Sequence, residues 1–211
     1  IMPSLVGSEM CIRDSADVNR VGIAERDASR MREVVEAQLI RSEIVVICGA
    51  IGGSASRAVA DALADLGELE IVRVAMHPGS VQGFGRLGRD EVPTFLLPAN
   101  PVSALVTFEV MVRPLIRIAL GKRQPMRRII KARTIGPIAS VQGRKGYLRG
   151  QLMRDERSGD YLVQVLGASP TGSSHLLAEL AEANCLIMVD ADVEELGTGD
   201  EVDVSFLAQR G

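Results

Sequence analysis

The stretch that most constrains this chain is EIVVICGAIGGSASRAVADALADLG, residues 43–67. The run EIVVIC is apolar after its first residue, the signature of a strand buried on both faces, as in parallel sheets. Beyond the glycines, Val59, Ala62, Leu63 and Leu66 recur at helical spacing, and Gly67 supplies a stop. A strand, a glycine turn and a helix opening near Ser54 make half of a βαβ unit. A chain holding this stretch is therefore expected to fold as α/β around a parallel sheet.

The neighbouring sequence extends the pattern. DVNRVGI (17–23) reads as a short strand, and Asp27 as the N-cap of a helix burying Met31, Val34, Val35 and Leu39. ELEIVRVAM (68–76) and VPTFLLP (92–98) read as strands, with a turn at His77-Pro78-Gly79 after the first. NPVSALVTFEVMVRPLIRIALG (100–121) is a long apolar helix interrupted near Pro114. Strands alternating with helices predict a doubly wound, three-layer α/β domain. After the basic linker KRQPMRR the grammar changes to short strands broken by glycine, with one helix, SSHLLAELAEA (173–183). That part is expected to form a small barrel-like β domain. The expected division is residues 16–122 and 123–211. Residues 1–15, IMPSLVGSEMCIRDS, match no element period and are set aside as a lead-in foreign to the fold.

Composition narrows the function. With 3% aromatics, no Trp and a net charge of −3, neither stacking platforms nor a global basic field favour nucleic acid. No apolar run reaches the about 20 residues of a transmembrane helix. Three scattered cysteines suggest a reducing, cytoplasmic setting, and two distant histidines make no legible metal cluster. Arg113–Arg157 is basic apart from Asp155 and Glu156, whereas Leu176 onward is acidic apart from Arg210. These read as solvated strand faces that attract one another across the β domain.

Three loops follow strands on the inferred carboxyl edge, where open α/β sheets take ligands. In the first, Gly49, Gly52 and Gly53 let the backbone approach an anion at a helix N-terminus, with Ser54 and Ser56 as hydroxyl donors. It has neither the Walker nor the dinucleotide pattern, and a tight turn alone would also use these glycines. The second, MHPGSVQGFGRLG, offers another close approach between strand and ligand. In the third, Pro98 and Pro101 flank Asn100, which can cap the next helix and open its N-terminus to an anion.

The second and third loops, with the C-terminal GSSHLLAELAEANCLIMVDADVEELGTGDEVDVSFL, resemble the molybdopterin molybdenumtransferase family of MoeA and the gephyrin E domain. The resemblance covers residues 16–211, about the C-terminal half of a family chain. It implies insertion of molybdenum from molybdate into adenylylated molybdopterin, with Mg²⁺ as cofactor and a homodimer as the working form. By the same resemblance, Gly49, Ala50, Gly52, Gly53, Ser54, Ser56, Arg57, Pro78, Gly79, Pro98, Asn100, Pro101 and Ser103 shape the ligand site. Asp27 is the acid for metal or water, and Arg73 and His77 face molybdate or phosphate.

The sequence departs from the family pattern at telling places. Cys48 replaces a hydroxyl residue, Gly52 a serine, Ser54 a glycine, Ala99 a glycine and Ser80 a lysine, while Arg57 stands where an acid is expected. A guanidinium about 4 Å from a cation repels each unit charge by roughly 4 kcal/mol at an effective dielectric near 20. Arg57 can instead pair with Asp61 one turn on, or hold phosphate without metal. Two readings follow: a molybdenumtransferase with altered ligands, or a gephyrin-like scaffold that has lost catalysis and binds a membrane-receptor or cytoskeletal partner.

Overall fold

A computed structural model describes residues 16–22, 27–54, 56–167 and 181–207. These fall into two compact units, one of residues 1–74 with 79–125, the other of residues 75–78 with 126–211. The expected cut at 122/123 thus lies at 125/126. Ala75–Pro78 also passes to the second unit, because its short strand pairs there.

The first unit begins with α1 (Ala28–Leu39), capped by Asp27, whose Oδ1 accepts from the Ser29 N–H at 2.9 Å. Then come β1 (Val45–Ile51), α2 (Ser56–Leu63) and β2 (Gly67–Arg73). The second unit takes β3 (Met76–His77); the chain returns through β4 (Val81–Leu87) and β5 (Val92–Pro98). α3 (Pro101–Thr107), a π-helical turn over Phe108–Val112 and α4 (Arg113–Ala119) complete the unit. The expected interruption of the long helix is this π turn. It falls just before Pro114, which has no N–H to offer the turn behind it.

The sheet order is β1-β5-β4-β2. β1 and β5 are parallel, while β4 runs antiparallel to both β5 and β2, so the sheet is mixed. Alternation sets the layers. Val45, Leu87, Val92 and Leu96 face α1 and α2 with Met31, Val35, Val59 and Leu63. Val46, Cys48, Phe95 and Leu97 face Phe108, Val112 and Ile116. Val59, Ala62 and Leu63 are buried as the sequence pattern predicts, with Leu66 partly covered.

Two sequence readings need correction. β4 lies in the stretch read as a ligand approach, and its glycines serve the sheet. A Cβ on Gly83 would come within 2.8 Å of the Leu96 Cβ, and one on Gly85 would run into the Glu68 carbonyl. Residues 17–22, expected as part of a strand, take no regular structure; no neighbouring strand pairs with them.

In the second unit, β6 (Ile129–Thr134), β8 (Lys145–Arg154), β9 (Tyr161–Val165), β10 (Cys185–Val189) and β12 (Glu201–Phe206) close on themselves in the order β10-β12-β6-β9-β8, β8 pairing back to β10. This is the barrel expected from the sequence. Val163, Ile187, Val189 and Val204 fill it. Two shorter strands, β7 (Ile138–Ala139) and β11 (Glu195–Leu196), pair beside it. The opposite charges of its two halves meet as expected: Lys131 lies 2.9 Å from Asp203, its register partner, and Lys145 3.1 Å from Asp190. The helix expected over 173–183, with His175, lies largely outside the described residues.

Candidate functional site

Since β2 and β5 both run opposite to β4, and β1 runs with β5, the C-terminal ends Ile51, Arg73 and Pro98 share one edge of the sheet. The N-termini of α2 and α3 follow from that edge. The first and third loops meet there. The Ala99 N–H donates to the Ile51 carbonyl at 2.8 Å, and a Cβ on Gly53 would lie 2.9 Å from the Ala99 Cβ. Glycine at 53 is what lets these loops pack.

The glycine loop leaves β1 by a register shift between Cys48 and Ile51, where the pairing jumps from Leu97 to Pro98. Gly49 at φ 79° and Gly52 at φ 71° take left-handed conformations that side chains disfavour. Ala50 is 4% exposed, so its side chain belongs to the core, leaving only backbone for a ligand. Ser56 donates through both N–H and Oγ to the Gly53 carbonyl, at 3.2 and 2.8 Å, so its hydroxyl closes the turn. Ser54 is exposed and makes no hydrogen bond among the described residues. Arg57, in the first turn of α2, is also exposed and forms no ion pair among them; the Asp61 pairing does not occur.

The third loop differs. Asn100 Oδ1 accepts from the Val102 and Ser103 N–H groups at 3.0 and 3.1 Å. Ala104 N–H bonds the Asn100 carbonyl at 2.9 Å, and Pro101 has no N–H. The α3 terminus expected to receive an anion is therefore closed by its own cap, with the backbone donor of Ser103 already used. Pro98, Asn100 and Pro101 remain as a rigid wall beside the glycine loop.

An apolar slot of about 230 Å³ runs between α2 and β2, lined by Ser56, Val59, Ala60, Leu63, Leu69 and Ile71 among others. Arg73, exposed at the end of β2, projects to the same sheet face as Leu69 and Ile71. Arg57 and Arg73 thus stand at the carboxyl-edge end of this slot. Sequence reasoning did not anticipate the slot, because it needs the α2–β2 packing.

His77 and Pro78 belong to the second unit, where His77 pairs with Gly146 of β8. Burial holds the His77 imidazole below the usual histidine value, and the Arg144 charge acts in the same direction. Gly79, at φ 88°, returns the chain to the first unit and accepts from Gln82 Nε2 at 3.0 Å.

The residues present do not suit the Mg²⁺ that the resemblance implies. Asp27 binds its own helix N-terminus, and Arg57 stands at the acidic position. Among the described residues no three His, Cys, Asp or Glu side chains converge to hold a metal ion. Asp27 Oδ1 serves as the cap of its own helix.

Known proteins match this arrangement of strand, glycine loop and second β unit. Residues 8–118 match the family described as a probable molybdopterin binding domain, starting inside the stretch set aside as a lead-in. Residues 131–207 match the MoeA C-terminal region, domain IV. The chain belongs to the molybdopterin-binding domain family. The two domains in this order are those of the MoeA molybdopterin molybdenumtransferases. Molybdopterin molybdenumtransferase 1 of Mycobacterium tuberculosis is 69% identical over 93% of this chain, and molybdopterin molybdenumtransferase 2 of that organism 33% over 92%. The chain spans 46% and 47% of those relatives. The crystal structure of a MoeA molybdopterin biosynthesis protein from Pyrococcus horikoshii superposes with TM-score 0.70 at 26% identity, covering 89% of this chain and 43% of that one. A molybdenum cofactor biosynthesis protein from Pyrococcus furiosus, at 19% identity and TM-score 0.71, shares the fold over 97% of this chain and 64% of that one.

Proposed function

We propose that this chain is the ligand-binding half of a molybdopterin molybdenumtransferase, acting in transfer of molybdenum from molybdate to adenylylated molybdopterin. The observation that carries the reading is the glycine loop that leads from β1 into α2. There Gly49, Gly52 and Gly53 bring backbone against the Pro98–Pro101 turn, and the side chains of Ser54, Arg57 and Arg73 are exposed with no hydrogen-bond or ion-pair partner among the described residues. Such a loop holds phosphate oxygens by amide groups and fixed positive charge, stabilising charge as it develops on a leaving phosphate. The names of the relatives supply the substrate class. Pyrophosphate at the loop, with molybdate near Arg73, is the arrangement this reading assigns. A homodimeric working form and a cytoplasmic location belong to the same proposal.

The test is AMP release from adenylylated molybdopterin with molybdate, using this chain joined to the N-terminal half of the 69%-identical relative. Molybdate-dependent AMP release is the expected result. Its absence in a folded protein that still binds the nucleotide favours the scaffold reading, for which the exposed Arg57 at the acidic position is the supporting observation.

A further inference from the structure

β2 lies at one end of the sheet order β1-β5-β4-β2, and among the described residues no strand pairs with its outer side. Its ladder to β4 runs from Gly67↔Leu87 to Arg73↔Val81 without a register shift, and the strand contains no proline. Alternate backbone groups of such an edge point away from the sheet, which makes it a template for another extended chain. Every residue of β2 is exposed or half-buried, and Ile71 is 60% exposed.

The space beside this edge is shaped for apolar side chains. The slot of about 230 Å³ has Ala60, Leu63 and Ala64 of α2 on one wall and Leu69 and Ile71 of β2 on the other. It stays open because β4 offers only glycine there: Gly85 stands opposite Leu69 and Gly83 opposite Ile71. A strand added to β2 turns alternate side chains over this slot. The side chains between them come to lie beside Glu68 and Glu70, both exposed. Residues Ala58 to Val72 include Asp61, Asp65, Glu68 and Glu70 and no Lys or Arg. Asp65 meets Arg32 at 3.3 Å, while Asp61, Glu68 and Glu70 form no ion pair among the described residues. The two exposed arginines, Arg57 and Arg73, mark only the carboxyl-edge end of the slot. Charge along the rest of the edge is therefore negative and selects a basic partner. A second copy of β2 meets a conflict instead. Pairing centred on Glu70 sets that glutamate against its own copy, and pairing centred on Leu69 sets Glu68 against Glu70.

We propose that the free edge of β2, with the α2–β2 slot, is a docking groove for an extended protein segment in which apolar residues alternate with Lys or Arg. The segment adds to β2 by main-chain hydrogen bonds, its apolar side chains enter the slot, and its basic ones pair with Glu68 and Glu70. None of this depends on the ligand at the glycine loop or on turnover.

The experiment titrates the ¹⁵N-labelled 211-residue chain with the end-blocked peptide Lys-Val-Lys-Ile-Lys-Val-Lys. A peptide of the same composition without alternation, Lys-Lys-Val-Val-Ile-Lys-Lys, is the control. Saturable shifts of the Leu69 to Val72 amides are expected with the first peptide alone, with slowed hydrogen exchange at every second amide of β2. Replacing both acids, Glu68→Gln with Glu70→Gln, should weaken binding by about two- to thirty-fold, the worth of two cross-strand charge pairs. Ala60→Phe should also weaken it, because the ring fills the slot from an exposed position that leaves the fold intact. Thermal melts check each variant. No binding of the alternating peptide, equal binding of the control, or binding unchanged in both variants overturns the proposal. So does self-association of the chain that protects the same β2 amides without peptide, since the edge then belongs to a second copy.

Discussion

Two helices start at the same edge of one sheet, and different groups close the turns before them. At α3, Asn100 Oδ1 takes the Val102 and Ser103 N–H groups, Pro101 has none, and Ala104 bonds backward. At α2, Ser56 closes on the Gly53 carbonyl, and Arg57 is exposed and unpaired among the described residues. A capped helix start satisfies itself; an uncapped one is stable only when packing holds it or a ligand completes it. Two glycine- or proline-rich loops that look alike as anion sites in sequence therefore differ: the third spends its helix-start amides on Asn100, and the first is the cradle proposed above.

If packing holds α2, removing its anchor should produce the largest change. Leu63→Ala, at a site 1% exposed, is expected to cost about 2–5 kcal/mol. Phe108→Ala, behind the capped start, should cost about 3–5 kcal/mol. Urea unfolding measures both, and a negligible loss at Leu63 would break the claim that α2 depends on its buried face. Next comes the joint between the loops. Gly53→Val forces side-chain atoms against Ala99 and should cost about 1–3 kcal/mol by overpacking, with loss of pyrophosphate binding. Retained binding at wild-type stability would show that the two loops need not touch.

The cap itself is worth less. Asn100→Ala should lower stability by about 1 kcal/mol, read as a shift of the urea midpoint. It sharpens the comparison, since freeing the Val102 and Ser103 amides should also create anion binding that the native α3 lacks. The smallest effect concerns pH. The folded His77 value lies below the unfolded one, so the unfolded state takes up more protons and stability falls as pH drops below about 6.5. His77→Gln should flatten that part of the stability profile; an unchanged slope between pH 7 and pH 5.5 would contradict it.

Much of the fold was legible because its signals are local. The Asp27 cap, the inward face Val59-Ala62-Leu63, the apolar strands β1 and β5 and the break before Pro114 all follow from neighbouring residues. β4 was not legible, since Gly83 and Gly85 disfavour a strand in isolation and make sense only against Leu96 and Glu68. The departure of Ala75–Pro78 into the second unit depends on pairing between Met76–His77 and Lys145–Gly146, far along the chain. At the site, the sequence showed that Asn100 could cap, but not that the cap would consume the donors it was expected to offer. Arg57 stood out by type; that it leaves Asp61 alone is a matter of side-chain placement.

The account's central claim is that the cradle is at α2 and not at α3, and amide chemical shifts test it residue by residue. In a titration of the ¹⁵N-labelled chain with inorganic pyrophosphate, the amides of Gly52, Gly53, Ser54 and Arg57 should shift in a saturable way, while those of Val102 and Ser103 stay in place. Equal shifts at Val102 and Ser103, or none at the glycine loop, would contradict it.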